Sequence, residues 1–367
     1  MLSLSGADEV VFAPPSDTLA DALVSSPPAA SPPQIDPRAL VRDLNAFRSP
    51  RLGRSGWELA STLIPFLGLC GLMLVAVSAG HLVALLLAVP AGLFLLRLFL
   101  IQHDCGHGSF FPSRRANDWV GRALGVLTLT PYECWRRSHA LHHASTGNLD
   151  ARGFGDVDTL TVREYQSRSA WRRLGYRIYR HPIVLFGFGP AYLFFLRHRL
   201  PIGLMKERRY WLSAMGSNAA SALVAAALSF VFGIASVALV FVPTVLIAGS
   251  IGVWLFYIQH QFEEAHWDYD DSWSFHDAAL RGSSHLELPL VLRWFTANIG
   301  VHHVHHLVSR IPFYRLPEVL RAHPQLAGVN RLTPADTLAT LRLALWDEDQ
   351  RRMVGFPRPL RMSARTS

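Results

Sequence analysis

The 367-residue chain is half apolar, only 17% charged, and has a mean hydropathy of +0.21. That balance argues against an ordinary soluble domain and against a chain disordered throughout. The formal charge of +8 fits nucleic-acid binding in principle, but Lys and Arg gathered in the cytoplasmic loops of a membrane protein account for it equally well.

Residues 1–45 are rich in Ser, Ala and Pro without periodicity, and are expected to be a mostly disordered N-terminal segment. They lack a basic stretch followed by an apolar run, so no cleavable signal peptide is expected. Residues 46–345 form the expected membrane domain. Within it, four runs match the roughly 20 apolar residues that a bilayer span requires. They extend from Trp57 to about Ala79, from Leu82 to Ile101, from about Leu212 to Gly233, and from Ala235 to Ile258. Pro90 and Pro243 lie inside two of them, which membrane helices tolerate. A fifth run, Ile183 to Leu196, is short and broken by Gly187, Gly189 and Pro190, and reads as interfacial or re-entrant. Residues 346–367 read as a basic C-terminal tail. Cys70, Cys105 and Cys134 give no disulfide framework and fit a reducing compartment.

Charge orients these runs. The first two are joined through Gly80 and His81 and the last two by a turn near Ile234, all without Lys or Arg. Arg48, Arg51 and Arg54 precede the first run, and Arg114, Arg115, Arg136, Arg137, Arg172 and Arg173 lie in the long middle loop. The positive-inside rule then puts both termini and the middle loop in the cytoplasm. The expected fold class is an all-α integral membrane protein, with four transmembrane helices as two hairpins and a cytoplasmic helical cap carrying a histidine-ligated dimetal site.

Seventeen histidines stand out, and their positions matter more than their number. His103 and His107, at the end of the second run, are four apart and share a face if the helix continues. His139, His142 and His143 in the middle loop have i, i+3, i+4 spacing, and His302, His305 and His306 repeat it after the fourth run. An even number of spans separates the clusters, so all three fall on one side of the membrane. A lone histidine pair is commonly incidental, but eight imidazoles in three such clusters overfill one metal ion and suit two. Imidazole serves iron, copper, nickel and zinc alike, so ligand type alone does not choose the metal. The Glu-x-x-His pair Glu263 and His266 has no second companion, which weakens a carboxylate-bridged bundle site.

The three clusters, His-Asp-Cys-Gly-His, His-Ala-Leu-His-His and His-His-Val-His-His, resemble the histidine boxes of membrane fatty acid desaturases. Residues 102–111, with Thr128-Leu-Thr-Pro-Tyr132 and Gly155-Asp-Val-Asp-Thr159, look most like the bacterial and plastid branch that includes delta-12 (omega-6) desaturases. The resemblance covers roughly Leu95 to Leu307. It implies an O2-dependent fatty acyl desaturase of the bacterial inner membrane, with two non-haem iron ions, O2 as co-substrate, and two electrons from an external donor. The product is a cis double bond in a lipid acyl chain. An unactivated C–H bond gives acid–base chemistry no foothold, so the metals must carry the hard step.

Carried over residue by residue, the resemblance makes His103, His107, His139, His142, His143, His302, His305 and His306 the metal ligands. His260, just past the fourth run, is a ninth. His303 departs from the pattern and is left out, and His266, His276 and His285 read as surface or loop residues. Carboxylates that accept the other ring N–H of a ligand histidine are sought in Asp104, Asp156, Asp158 and Glu263. Cys105 reads as a small buried residue beside the site. No haem-binding His-Pro-Gly-Gly segment occurs, so the donor is expected to be a separate protein such as a ferredoxin, docked on the basic middle loop. No nucleic-acid partner is expected. Two rivals remain: a related di-iron membrane hydroxylase or carotenoid-modifying oxygenase, and a metal transporter, whose ligands would line a path through the membrane.

Overall fold

The computed structural model describes residues 36–153 and 155–357. Four of its helices are long and apolar enough to cross a membrane: Leu52–Ser78, Leu82–His107, Arg208–Phe232 and Ile234–His260. Helix is the only open-ended way for an apolar run to satisfy its backbone N–H and C=O groups without water. Each pair is joined by a tight turn at a glycine in a backbone region that disfavours side chains, Gly80 at φ +90° and Gly233 at φ +81°. Pro90 falls in the first turn of regular α-helix, which begins at Ala88, and so removes no internal bond.

The second and fourth spans pack closely: a Cβ built on Gly92 would lie 2.7 Å from Ile247 Cγ2. Across the first and second spans, buried Arg97 pairs with buried Glu58 and donates to Thr62 Oγ1 at 3.1 Å. The same guanidinium donates to the Trp294 carbonyl and lies 3.9 Å over the Trp294 ring. A buried charge unpaired would be costly, and here every side of it is met. The third span has few buried residues, but Tyr210 and Ala214 pack inward. Beside them, Ser213 Oγ accepts from Glu133 N at 3.2 Å, tying the span to the middle loop.

Several expectations are corrected. The fold is mostly helical but not all-α. Leu160–Thr161 pairs in parallel with Leu345–Asp347, which pairs antiparallel with Arg352–Val354, and His285–Leu286 pairs in parallel with Arg331–Leu332. Residues 346–357 are therefore not simply a tail: Trp346 and Met353 are buried against Leu149, Phe262, Ala265 and Trp267, and the rest of that expectation, residues 358–367, lies outside those described. At the other end, Pro37–Leu44 is a helix with Leu40 and Leu44 buried, inside the segment expected to be mostly disordered. The rest of that expectation falls on residues 1–35, outside those described. The fifth apolar run forms a wide helical turn, Val184–Phe188, followed by the helix Gly189–Phe195. Its Phe194 and Pro190 press on Gly249 of the fourth span, where a Cβ would lie 2.8 Å from Phe194.

Candidate metal centre

The second span stays helical through His107 and stops at Gly108, whose left-handed φ of +68° a side chain would resist. His103 and His107 therefore occupy successive turns of one face. The helix Tyr132–Ser145 carries His139, His142 and His143, the short helix His302–Leu307 carries His302, His305 and His306, and the fourth span ends on His260.

These nine side chains meet in two groups. His103, His107, His139, His143 and His305 form one, and His142, His260, His302 and His306 form the other. Within each group one ring nitrogen from every residue lies within 4.8 Å of all the rest. Helix geometry explains the division. On the middle-loop helix, His139 and His143 are one turn apart and share a direction, while His142 is turned about 100° from His143. That helix and the 302–307 helix each contribute to both groups, and the His143 and His306 rings stack between them with centroids 4.1 Å apart.

The nitrogens are aimed at shared points. His139 Nε2 is 3.0 Å from His107 Nε2 and 3.1 Å from His143 Nε2, which is itself 3.1 Å from His305 Nε2. A ring nitrogen owns one in-plane hydrogen or one lone pair, so it cannot serve two such neighbours by hydrogen bonding. In the second group, His302 Nε2 and His260 Nε2 are 3.0 Å apart, and the buried Nε2 atoms of His142 and His306 have no hydrogen-bond partner among the described residues. Orphaned, convergent lone pairs are what a bound cation would satisfy. Burial, and then the neighbouring imidazoles, hold His139, His143, His302, His305 and His306 well below the ordinary histidine range. They are therefore neutral at pH 7, the form in which imidazole binds metal.

The far ring nitrogens are held too. His142 Nδ1 forms a short hydrogen bond with Asp156 Oδ1, and His260 Nδ1 donates to the Gly282 carbonyl at 3.1 Å. His103 Nδ1 lies 3.2 Å from Asp104 Oδ1, while Asp104 Oδ2 accepts the Phe313 N–H at 2.7 Å. Each contact selects the tautomer with its hydrogen on Nδ1 and leaves Nε2 free to face inward.

Comparison with known proteins agrees with this geometry. The family described as "Fatty acid desaturase" matches residues 79–333. A Bacillus subtilis protein named "Fatty acid desaturase" is 43% identical over 320 residues, 87% of this chain and 90% of its own. The chain belongs to the fatty acid desaturase family. It is an oxidoreductase, and its histidine groups are consistent with metal binding. A Synechocystis protein named "sn-1 acyl-lipid omega-3 desaturase (ferredoxin)" is 30% identical over 63% of this chain and 64% of its own. A Brassica napus protein named "Omega-3 fatty acid desaturase, chloroplastic" is 29% identical over 65% of this chain and 60% of its own.

Not every residue sought in the sequence lies at these two groups. Asp158 is exposed, and its backbone rather than its carboxylate is bound, donating to the Tyr179 hydroxyl at 3.0 Å. Glu263 is exposed and pairs with Arg352 at 2.9 Å. Neither carboxylate is bonded to an imidazole among the described residues. His303 is buried, but its ring lies against His285, with centroids 5.7 Å apart, and it belongs to neither group. His285, expected on a surface or loop, is also buried, with Nδ1 donating to the Ala327 carbonyl at 2.7 Å. His266 pairs with Asp268 at 2.5 Å outside both groups. Cys105 is buried, and its carbonyl accepts the Tyr132 hydroxyl at 2.8 Å.

Two aromatic walls were missed. Trp135 stacks on His139 with centroids 4.6 Å apart, and Phe256 lies 5.0 Å from His142 and 5.5 Å from His260. Both sit four residues before a site histidine, so helical periodicity holds the signal for them. Gly106 makes room for the first, since a Cβ there would come 2.8 Å from Trp135.

Proposed function

We propose that the chain introduces a cis double bond into a lipid acyl chain, using O2 and two electrons from a separate donor such as a ferredoxin. The nine histidines hold two non-haem iron ions, the group of five around one and the group of four around the other. The observation that carries this reading is their convergence with orphaned Nε2 atoms in a chain of the desaturase family. The iron pair supplies the oxidising power needed to take hydrogen from unactivated methylenes. The protein supplies the rest: neutral imidazoles, Nδ1 partners in Asp104, Asp156 and the Gly282 carbonyl, and aromatic walls at Trp135 and Phe256 that exclude water.

The ligand-bearing ends of the second and fourth spans face the cytoplasm in this reading, as do both termini, and the membrane is the bacterial inner membrane. Support comes from the arginines of the middle loop and the bare turns at Gly80 and Gly233. Arg168 and Arg172 are exposed around an open basic surface beside Tyr176, suited to an acidic electron carrier. The motifs at residues 102–111, 128–132 and 155–159 support delta-12 (omega-6) placement. The omega-3 names of two relatives support a second placement, nearer the methyl end.

Expression in a bacterium lacking polyunsaturated lipids tests the proposal. A new diene, positioned by mass spectrometry, is the expected result and decides between the two placements. Hydroxylated lipids without new double bonds, from membrane-inserted and iron-loaded protein with a working donor, would overturn it.

A further inference from the structure

Beside the first and second spans lies a cavity of about 360 Å³, lined by none of the nine site histidines. Arg51, Arg54, Arg97, Arg293 and Arg321 line it. The acids at its wall, Glu58 and Glu318, are already shared. Glu58 pairs with Arg97 and, at 2.7 Å, with Arg54, while Glu318 pairs with Arg51 at 3.2 Å and Arg315 at 3.0 Å. Arg293 and Arg321 are exposed, and neither forms an ion pair within 4 Å among the described residues, although Glu287 lies within electrostatic reach of Arg293. The cavity thus carries a surplus of positive charge with two guanidinium groups free to donate. The first turn of the Leu52–Ser78 helix lines it as well, adding the positive end of a helix dipole.

Its surroundings are apolar. Leu290 and Val291, on the short helix that also carries Arg293, are exposed, as are Leu52 and Trp57 on the first span. Trp57 stands one turn beyond Arg54, where an indole and an arginine commonly mark the membrane–water boundary. A free anion would need only the arginines. A cationic cavity bordered by outward apolar side chains fits a ligand with a phosphate head and hydrocarbon tails.

We propose that this cavity binds the phosphate of a membrane phospholipid, whose acyl chains lie along Leu52, Trp57, Leu290 and Val291. The inference rests on reading the four helices as membrane spans, and membrane fractionation of the expressed protein tests that premise separately. Lipid binding is read without turnover, so its failure is distinct from failure of the desaturase reading.

The full chain, purified in a neutral sugar detergent, is titrated with phosphatidylglycerol and with a neutral glycolipid of the same acyl chains, and retained lipid is read by native mass spectrometry. Phosphatidylglycerol should be held roughly tenfold more tightly than the glycolipid, as expected for charge-assisted hydrogen bonds to phosphate. The Arg293→Gln, Arg321→Gln double variant should lose that preference while keeping its metal content. Millimolar inorganic phosphate should not displace the lipid. Equal retention of the two lipids by the unaltered protein, an unchanged preference in the double variant, or displacement by inorganic phosphate would each overturn the proposal. The first and third of these need no variant to fold.

Discussion

At the scale of single residues, the site depends on where each imidazole nitrogen points. His142→Ala removes a group whose Nε2 has no other partner and whose Nδ1 is held by Asp156. The variant should insert into membranes normally, because His142 lies outside the spans, yet lose desaturation and bound metal. Asp156→Asn leaves the ring in place but weakens its orientation, and losing such an outer partner typically costs about 10–100-fold in metal affinity or activity. Asp158→Asn should stay near the unaltered protein, since that carboxylate is exposed, and a metal titration of the two variants side by side checks the contrast. The neutral histidines also set a pH dependence. In the metal-free protein, burial holds His139, His143, His302, His305 and His306 well below their ordinary value of 6.5. Below about pH 6.5 the unfolded chain therefore binds more protons than the folded one, and stability falls as pH falls. Melting of the metal-free protein at about pH 7.5 and 5.5 should give a lower transition at the acid value. An acid-independent transition would mean that the cluster is not buried as described.

At the scale of elements, what was legible followed periodicity. Long apolar runs gave the spans, and i, i+3, i+4 spacing gave the histidine faces, because both patterns repeat over several turns. His260 was placed only through family resemblance, since a single histidine at a helix end has no pattern of its own. The strands at 160–161, 285–286 and 352–354 are too short for alternation to register, and their partners are far away in sequence. The carboxylates divided in the same way. Asp104 and Asp156 were proposed alongside Asp158 and Glu263, and only the fold reveals which pair faces an imidazole. Packing between spans was likewise invisible until the helices were paired. Gly92 now stands out, with Ile247 2.7 Å from any added Cβ. Gly92→Leu should destabilise the protein by about 1–3 kcal/mol through overpacking. Gly216→Leu, on the open face of the third span with nothing within 4 Å, should be tolerated. Thermal unfolding in detergent separates the two.

At the scale of the whole molecule, the chain brings histidines from four helices, spread from residue 103 to residue 306, to the ends of two spans. In the proposed reading, electrons arrive from the side where those ends open. If an acidic carrier docks on the surface around Arg168 and Arg172, donor-dependent turnover should fall as salt is raised, because exposed charges are screened beyond roughly 8–10 Å at physiological ionic strength. Arg168→Glu with Arg172→Glu should raise the donor concentration needed for half-maximal rate while leaving the metal content unchanged. A salt-independent rate would move the docking surface elsewhere. The central claim, however, is the pair of irons itself. Its most direct test is the metal content of the protein purified from membranes, measured by mass spectrometry alongside the His142→Ala variant. The account predicts two irons per chain in the unaltered protein, from the two histidine groups, and a loss of iron in the variant. A single ion per chain, or zinc in place of iron, would contradict it.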